Sequence, residues 1–254
     1  MKIESFPRKL FLFRNNLCMF AQTQNELHNM KHMSILAVSL LALVACTPEK
    51  KQEADYSQYV NPMIGTDFTG NTYPGAQLPF GMVQLSPDNG LPGWDRISGY
   101  FYPDTTIAGF SHTHLSGTGA GDLYDISFMP VTRPYKEAPA PLGIYSTFSH
   151  NDEAASAGYY RVLLKDYNIN VELTATERCG IQRYTFPEAE ASVFLNLKKA
   201  MNWDFTLDSK IEVVDSTTIR GYRLSQGWSP LQHVYFETRF SKPCLLYTSD
   251  AADD

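Results

Sequence analysis

The amino-acid sequence predicts an all-β protein, arranged as a two-sheet antiparallel β-sandwich. Short runs of β-branched and aromatic residues recur between turn residues up to Phe240, whereas a regular helical period is hard to find. In residues 169–177 apolar and polar side chains alternate, as expected for a strand with one face in a core. Two packed antiparallel sheets would bury such apolar faces.

The same alternation marks residues 233–240, where Val234, Phe236 and Phe240 are predicted to point inward. Further strands are predicted over residues 82–85, 126–131, 159–164, 182–186, 193–197, 210–214 and 217–224. The Pro-bearing segment 136–143 is predicted to be a surface loop. No internal repeat divides the chain, so one β-sandwich domain over residues 58–243 accounts for the pattern.

The chain is large enough for one sizeable core, and its charge and cysteines argue against several functions. Its 254 residues are 43% hydrophobic and 13% aromatic. The net charge is −6 and basic runs are no longer than two residues, so no nucleic-acid partner is predicted. The four cysteines form no CxxC pair, which argues against a zinc site and against a disulfide framework.

The segment 30–45 has the pattern of an export signal. A short positive start is followed by an apolar run of about a dozen residues, which is too short to favour a membrane-spanning helix. The run ends in LVAC, which resembles a bacterial lipobox, so 30–45 is predicted to be a lipoprotein signal peptide and Cys46 the lipidated residue. The alternative is a core helix that ends in an ordinary cysteine, but the charged residues that follow argue against continued burial. The protein is therefore expected to be exported and membrane-anchored through Cys46, in the periplasm or at the cell surface.

The segments around this signal are interpreted separately. Residues 1–29 fit badly ahead of an export signal and are interpreted as a mis-annotated upstream extension, with translation starting at Met30 or Met33. Residues 46–57 are polar and charged, which predicts a flexible tether. Residues 244–254 break the strand pattern abruptly and resemble translated read-through of a sequencing adapter, so the sequence is expected to be a truncated fragment.

Residues 94–122 combine aromatic, charged and glycine residues in a way that few plain scaffolds require. An aromatic face can cover the C–H face of a sugar ring, while carboxylate and guanidinium groups bind its hydroxyls. The stretch predicts a pocket for a polar, ring-shaped ligand, with substrate-binding roles for Trp94, Asp95, Arg96, Gly99 and Tyr100. A core tryptophan beside a surface ion pair is the alternative, and the sequence leaves both open.

His112 and His114 are two residues apart, and on a strand this spacing would direct both imidazoles to one face, as in a zinc or copper site. Third and fourth ligands are not obvious. Hydrogen bonds to loop carbonyls or contacts with another domain explain the same spacing, so both histidines are predicted to be structural or interface residues. The neighbouring Gly117, Gly119 and Gly121 resemble a phosphate-binding loop, but no lysine or helical period follows, which favours a tight turn.

The sequence resembles glycoside hydrolase family 92 in four longer motifs, which are YVNPMIGT (59–66), YPGAQLPFGMVQLSPD (73–88), GFSHTHLSGTG (109–119) and ELTATERCGIQRYTFP (172–187). The resemblance covers about residues 56–243. It implies a calcium-dependent, exo-acting α-mannosidase that acts on mannose-containing glycans with inversion of configuration. It also implies a galactose-mutarotase-like supersandwich followed by an (α/α) barrel, and that barrel is absent from this sequence.

The resemblance further implies that the catalytic acid, the catalytic base and most of the calcium site come from the barrel. No residue here is therefore given a catalytic or metal-binding role, and the chain alone is predicted to be inactive. Its expected contribution is carbohydrate binding and the domain interface. Many members of the family carry a Trp-Cys pair near the position of Trp94. This sequence departs from that pair at Arg96 and Ile97, so the details of the sugar subsite differ. The alternatives are a non-catalytic carbohydrate-binding surface lipoprotein and a purely structural surface protein.

Overall fold

The computed structural model describes residues 54–139, 142–188, 190–200 and 202–243. These residues form strands and three short 3-10 turns, and the described part contains no α-helix, which confirms the all-β prediction. The 3-10 turns are Ser57–Tyr59, Trp94–Arg96 and His150–Asp152. The strands are β1 (Ala76–Gln77), β2 (Gln84–Asp88), β3 (Thr106–Ile107), β4 (Gly109–Ser111), β5 (Ser127–Thr132), β6 (Glu137–Ala138), β7 (Gly143–Ile144), β8 (Ser146–Thr147), β9 (Glu153–Ser156), β10 (Tyr159–Leu164), β11 (Ile169–Ala175), β12 (Gly180–Thr185), β13 (Ala191–Asn196), β14 (Phe205–Val213), β15 (Thr218–Gln226) and β16 (Gln232–Arg239).

A five-stranded antiparallel sheet, in the order β1-β2-β4-β5-β13, forms the middle layer of the described residues. One of its faces packs on a four-stranded antiparallel sheet in the order β12-β11-β10-β9. The main core lies between these two sheets, with Leu85, Phe110 and Val131 on one side and Val162 and Val171 on the other. This pair of sheets is the predicted antiparallel sandwich.

The other face of the five-stranded sheet is also covered. Phe128 of β5 belongs to a second apolar cluster with Val234 and Phe236 of β16, whereas its neighbour Met129 points into the main core. Because successive side chains of a strand point to opposite faces, a strand between two layers buries the side chains of both faces. This explains why every residue of β5 is buried. The covering layer is the three-stranded antiparallel sheet β14-β15-β16.

Several strand predictions are confirmed, and one loop prediction needs correction. In β11 the predicted inward residues Ile169, Val171 and Leu173 are buried. The predicted inward residues Val234 and Phe236 of β16, and Phe240 directly after it, pack against the second cluster. Residues 136–143, predicted to be a surface loop, instead include β6, which pairs with β7 in a small hairpin. The sequence around this pair has no alternation to reveal a strand, since each strand is only two residues long.

Candidate functional site

Trp94 and Arg96, two of the predicted ligand-binding residues, lie at the surface in the 3-10 turn Trp94–Arg96. The turn closes when the Arg96 amide donates to the Gly93 carbonyl, and it leaves Trp94 60% exposed. The Arg96 guanidinium donates two hydrogen bonds to Asp104, of 2.6 Å from Nε and 2.5 Å from Nη2. It also lies 4.7 Å from the ring centroid of Phe101. Arg96 is thus held beside the turn by protein partners, whereas Trp94 is exposed and Asp95 is half-buried.

The structure places the other two predicted ligand residues, Gly99 and Tyr100, in the interior. Gly99 has a φ of +86°, and a Cβ there would lie 2.5 Å from Asp88 Oδ1. Tyr100 is fully buried, and its hydroxyl donates to the Glu153 carboxylate at 3.0 Å from both oxygens. Burial, followed by the nearby Glu153 charge, raises the pKa of the Tyr100 phenol. Both residues therefore support the Trp94–Arg96 turn from the interior of the domain and are out of reach of a surface ligand.

His112 and His114 use their ring nitrogens to join neighbouring segments. His112 Nδ1 donates to the Ile126 carbonyl at 2.7 Å, and His114 Nδ1 donates to the Gln84 carbonyl at 2.7 Å. Desolvation lowers the pKa of His112 to about 4. His114 Nε2 lies 2.8 Å from Asp88 Oδ1. Through these bonds both histidines connect segments of the scaffold.

A buried charge cluster stands behind the glycine-rich loop 115–122. Asp88 is completely buried, and besides His114 it has Lys199 Nζ 3.3 Å from its Oδ2. Burial by itself would raise the pKa of the Asp88 carboxyl, but the charges of Lys199 and His114, with hydrogen bonds from His114 and Ser111, outweigh it and lower the pKa. The first end of the loop is therefore attached to the core through a paired carboxylate.

The segment after the glycine-rich loop is strained. Leu123, Tyr124 and Ile126 have φ angles of +85°, +56° and +55°, which non-glycine residues rarely adopt. Each such residue costs on the order of 1–3 kcal/mol, so the surrounding structure must hold it in place. The Tyr124 hydroxyl donates to the Ile97 carbonyl in the interior, and the Leu123 carbonyl accepts from Arg223 Nη1 at 2.9 Å.

Arg223 of β15 fixes this strained segment. The side chain is fully buried, and its donors are met by carbonyls, carboxylates and the Thr206 hydroxyl. Nη1 lies 2.5 Å from Asp125 Oδ1, Nη2 donates to the Lys199 carbonyl at 3.0 Å, and Nη2 lies 3.5 Å from Asp204 Oδ2. A buried arginine is tolerated only when paired and hydrogen-bonded in this way. Arg223 thereby ties the three-stranded sheet to the second end of the glycine-rich loop.

Asp122, the last residue of the loop, connects it to the turn between β15 and β16. It is 3% exposed, and one oxygen accepts from the Trp228 amide at 2.9 Å. The other oxygen accepts from Gln232 Nε2 at 2.9 Å and from the Leu123 amide at 2.8 Å. Gly227 packs against this carboxylate so closely that a Cβ would lie 2.4 Å from Oδ1. The loop and the turn therefore form one unit.

Between the loop and the turn runs an open groove of about 610 Å³. Trp228, 78% exposed, stands in its wall, and a Cβ on Gly119 would lie 3.3 Å from Trp94 Cη2. The groove thus begins where the Trp94 turn ends. A groove of this size, mostly apolar with a few polar groups, suits a small organic ligand. It is lined by Leu115, Thr118, Gly119, Ala120, Asp122, Leu123, Trp228, Ser229 and Gln232.

Residues 59–251 match the family model described as the glycosyl hydrolase family 92 N-terminal domain. The chain belongs to glycoside hydrolase family 92. The expected resemblance is thus confirmed for the amino-terminal domain. The match starts close to the predicted domain start at residue 58 and covers the site described above.

This family 92 chain spans about a fifth to a quarter of the length of the solved and curated relatives described here. A family 92 alpha-mannosidase from Bacteroides thetaiotaomicron, solved with mannoimidazole and also without it, is 44% identical with a TM-score of 0.70. The alignment with the mannoimidazole complex covers 74% of this chain and 25% of the mannosidase chain. A family 92 glycosyl hydrolase named ccman5 is 28% identical over 74% of this chain and 27% of its own, with a TM-score of 0.62. An uncharacterized secreted glycosidase from Arthroderma benhamiae is 27% identical over 64% of this chain and 21% of the relative.

The calcium ion implied by the family does not fit the carboxylates described here. Asp88 and Asp125 already face buried cations, and both oxygens of Asp122 accept protein hydrogen bonds. Calcium requires six to eight oxygen ligands. Across residues 54–243 as described, no group of three or more His, Cys, Asp or Glu side chains is placed to hold a metal ion. The zinc or copper alternative for His112 and His114 has no third ligand among these residues either.

Some predictions concern residues that the structure does not describe. The signal peptide 30–45, the lipidation site Cys46, residues 1–29 and residues 244–254 lie outside the described residues, as does most of the predicted tether 46–57. None of the described helical segments is long and apolar enough to cross a membrane.

Sequence reasoning missed the second half of the site. Trp228 lies in the sequence GWSP between two predicted strands, and a tryptophan in a turn is a signal that the sequence does contain. Arg223 gave no such signal, because an arginine in an alternating strand is usually a surface residue. Asp122 directly follows the predicted tight turn at Gly117, Gly119 and Gly121, and its contacts with the distant Trp228 and Gln232 depend on the packing of the three-stranded sheet.

Proposed function

We propose that this chain is the amino-terminal part of an exported α-mannosidase that hydrolyses terminal α-mannosidic linkages of glycans. The observation that carries the proposal is the family match over residues 59–251, together with 44% identity to a family 92 alpha-mannosidase solved with mannoimidazole. This chain spans about a quarter of that relative. The activity is accordingly proposed for the longer protein and not for the 254 residues alone.

The contribution of this chain is to bind the sugar and to shape one side of the cleft. The exposed Trp94 ring is proposed to cover the C–H face of a pyranose, and Asp95 to accept hydrogen bonds from its hydroxyls. Asp104 and Phe101 fix the Arg96 guanidinium, which therefore braces the turn that presents Trp94. The paired Asp88 and the buried Tyr100 keep the backbone below in one conformation, which reduces the entropy lost on binding.

Catalysis is proposed to follow the inverting mechanism of glycosidases. One carboxylic acid protonates the leaving oxygen and a second carboxylate activates water on the opposite face, with roughly 6.5–9.5 Å between them. Both groups, and the calcium ion, are proposed to belong to the part of the longer protein that follows this domain. The described carboxylates near the groove are already engaged by Arg223, Lys199 or backbone amides, which is consistent with that division.

Export is proposed to bring the enzyme to its glycans. The lipobox at Cys46 would anchor it to a membrane, with the tether 46–57 holding the domain away from the surface. The description of the Arthroderma relative as a secreted glycosidase supports export.

The experiment compares the longer protein with the 254-residue chain on 4-nitrophenyl α-mannoside and on α-mannobiose. We expect turnover by the longer protein and none by the 254-residue chain, because the acid and the base contribute about 10²–10⁴-fold each. Release of mannose by a clean preparation of the short chain would contradict this division of roles. Inactivity of the longer protein on every α-mannoside tested would refute the proposed function.

Trp94→Ala in the longer protein tests the sugar contact. Loss of the indole surface should lower kcat/KM roughly 5- to 150-fold. Because Trp94 is 60% exposed, the melting temperature should stay close to that of the parent. If melting falls sharply while the folded fraction keeps normal activity, Trp94 supports the fold and does not bind sugar.

A further inference from the structure

We propose that the groove between the glycine-rich loop and the β15–β16 turn binds a second sugar unit of the glycan, with Trp228 as its aromatic platform and Asp122 as its positioning residue. This inference rests on the proposed function, because it assigns the sugar next to the one that contacts Trp94. It concerns residues 115–123 and 227–232, which lie beyond the Trp94 turn.

The exposure of Trp228 points to a ligand that covers its ring. The side chain is 78% exposed although its backbone is fixed by the bond from its amide to Asp122. A large aromatic side chain on a fixed backbone provides contact area at low cost in entropy, which is how aromatic residues serve in binding sites. The Asp122 bond thus fixes the point from which the indole extends into the groove.

The chemistry of the lining selects a neutral, polar ligand. None of the nine residues that line the groove is basic, and its one acid, Asp122, has both oxygens occupied by protein donors. A phosphate or another anion would find no cation there. Gln232 donates to Asp122 through its amide nitrogen, and the Ser229 hydroxyl donates to the Leu231 carbonyl, so the side-chain oxygens of both residues act as neutral acceptors in the lining. An aromatic ring with a few neutral polar groups is the combination that binds a sugar.

The position of the groove fixes which sugar it takes. Gly119 contributes to the groove and also packs against the Trp94 ring, where an added Cβ would lie 3.3 Å from Cη2. A ligand that extends from Trp94 along the loop therefore reaches Trp228 next. The strained residues Leu123 and Tyr124, held by Arg223 and by the Ile97 carbonyl, keep the loop in the conformation that connects the two rings.

The test compares a one-sugar with a two-sugar substrate in the longer protein. For Trp228→Ala we expect kcat/KM on α-mannobiose to fall roughly 5- to 150-fold, with 4-nitrophenyl α-mannoside unchanged within about twofold. Trp228→Phe should recover much of the loss. Trp203→Ala is the matched control, since Trp203 is 46% exposed and does not line the groove, and it should change neither substrate.

Asp122→Asn tests the positioning role, because asparagine has one side-chain oxygen and cannot accept from the Trp228 amide on one side and from Gln232 and Leu123 on the other, as the two oxygens of Asp122 do. Asp122→Asn should lower kcat/KM for α-mannobiose and leave kcat/KM for 4-nitrophenyl α-mannoside unchanged. The melting temperature is measured on the same sample to show whether the variant is folded. Equal losses on both substrates, or no loss on α-mannobiose with Trp228→Ala, would overturn the second subsite.

Direct binding separates this inference from the proposed function. Titration of α-mannobioses into the 254-residue chain, followed by tryptophan fluorescence and by ligand-observed NMR, measures the groove without turnover. Binding that Trp228→Ala abolishes and Trp203→Ala preserves would support the groove even if the longer protein hydrolysed no mannoside. Binding that is identical in parent and Trp228→Ala would refute it even if the longer protein were an active mannosidase.

Discussion

Replacement of Arg223 by methionine gives the sharpest test of how the site is held together. The methionine fills similar space but carries no charge and no donor. Asp125 and Asp204 then lose the guanidinium between them, and the carbonyls of Leu123 and Lys199 lose a donor. Because the arginine is fully buried, solvent cannot replace these partners.

The expected loss in the free energy of unfolding follows from the burial of the broken ion pairs. Removing one partner of a buried ion pair costs about 3–5 kcal/mol, since the remaining charge is left in a poorly solvated place. For a domain of this size that corresponds to a fall in melting temperature of about 6–20 °C. Arg223→Lys keeps the charge but cannot reproduce the fork of donors, so it should recover only part of the loss.

Arg220→Met is the matched control on the same strand. Arg220 pairs with Glu212 at 2.8 Å, and its side chain is 55% exposed. An exposed pair of this kind contributes about 0–1 kcal/mol. Urea unfolding of the 254-residue chain and its two variants measures both effects under identical conditions. Similar losses for Arg220→Met and Arg223→Met would show that the buried network does not hold the loop as argued.

Three further outcomes are expected. The pKa of His112 is lowered from 6.5 to about 4, so between these pH values the unfolded chain binds a proton that the folded chain does not, and stability should fall as the pH drops from 6.5 towards 4. The urea midpoint of His112→Gln should fall less over this pH range. A pH profile of His112→Gln equal to that of the parent would contradict the assignment. Gly221→Ala should cost on the order of 1–3 kcal/mol in the same assay, because its Cβ would lie 2.0 Å from the Lys210 carbonyl oxygen of the neighbouring strand, and a midpoint equal to that of the parent would show that the strands can separate freely. Cys46→Ser should release the protein from membranes, because a covalent lipid contributes about 0.8 kcal/mol per buried CH₂; equal recovery of variant and parent in the membrane fraction would refute the lipobox.

The sequence by itself determined the class of the fold and the family. Alternation in β11 and β16 identified the inward residues, because a strand that faces a core on one side must alternate. The motif around residues 109–119 located the loop on which the site is built. These features involve residues that are close together in the sequence, so they can be recognised without knowledge of the tertiary packing.

Only the tertiary structure decided which side chains are available to a ligand. Tyr100 and Arg96 are residue types that are common in sugar sites, yet in the structure they bind Glu153 and Asp104. No residue close to Tyr100 in the sequence indicates that Glu153 is its partner. Trp228 joins the site through Asp122, a contact between residues 106 positions apart. Such contacts arise because the three-stranded sheet packs on the second face of β5.

Arg220 and Arg223 show the physical reason most clearly. Both are arginines of β15, and the sequence offers no means to tell the exposed one from the buried one. The direction of each side chain follows from the period of two along the strand, but which face meets the core is decided by the partners on that face. The carboxylates of Asp125 and Asp204 make the interior favourable for Arg223, and they come from other parts of the chain.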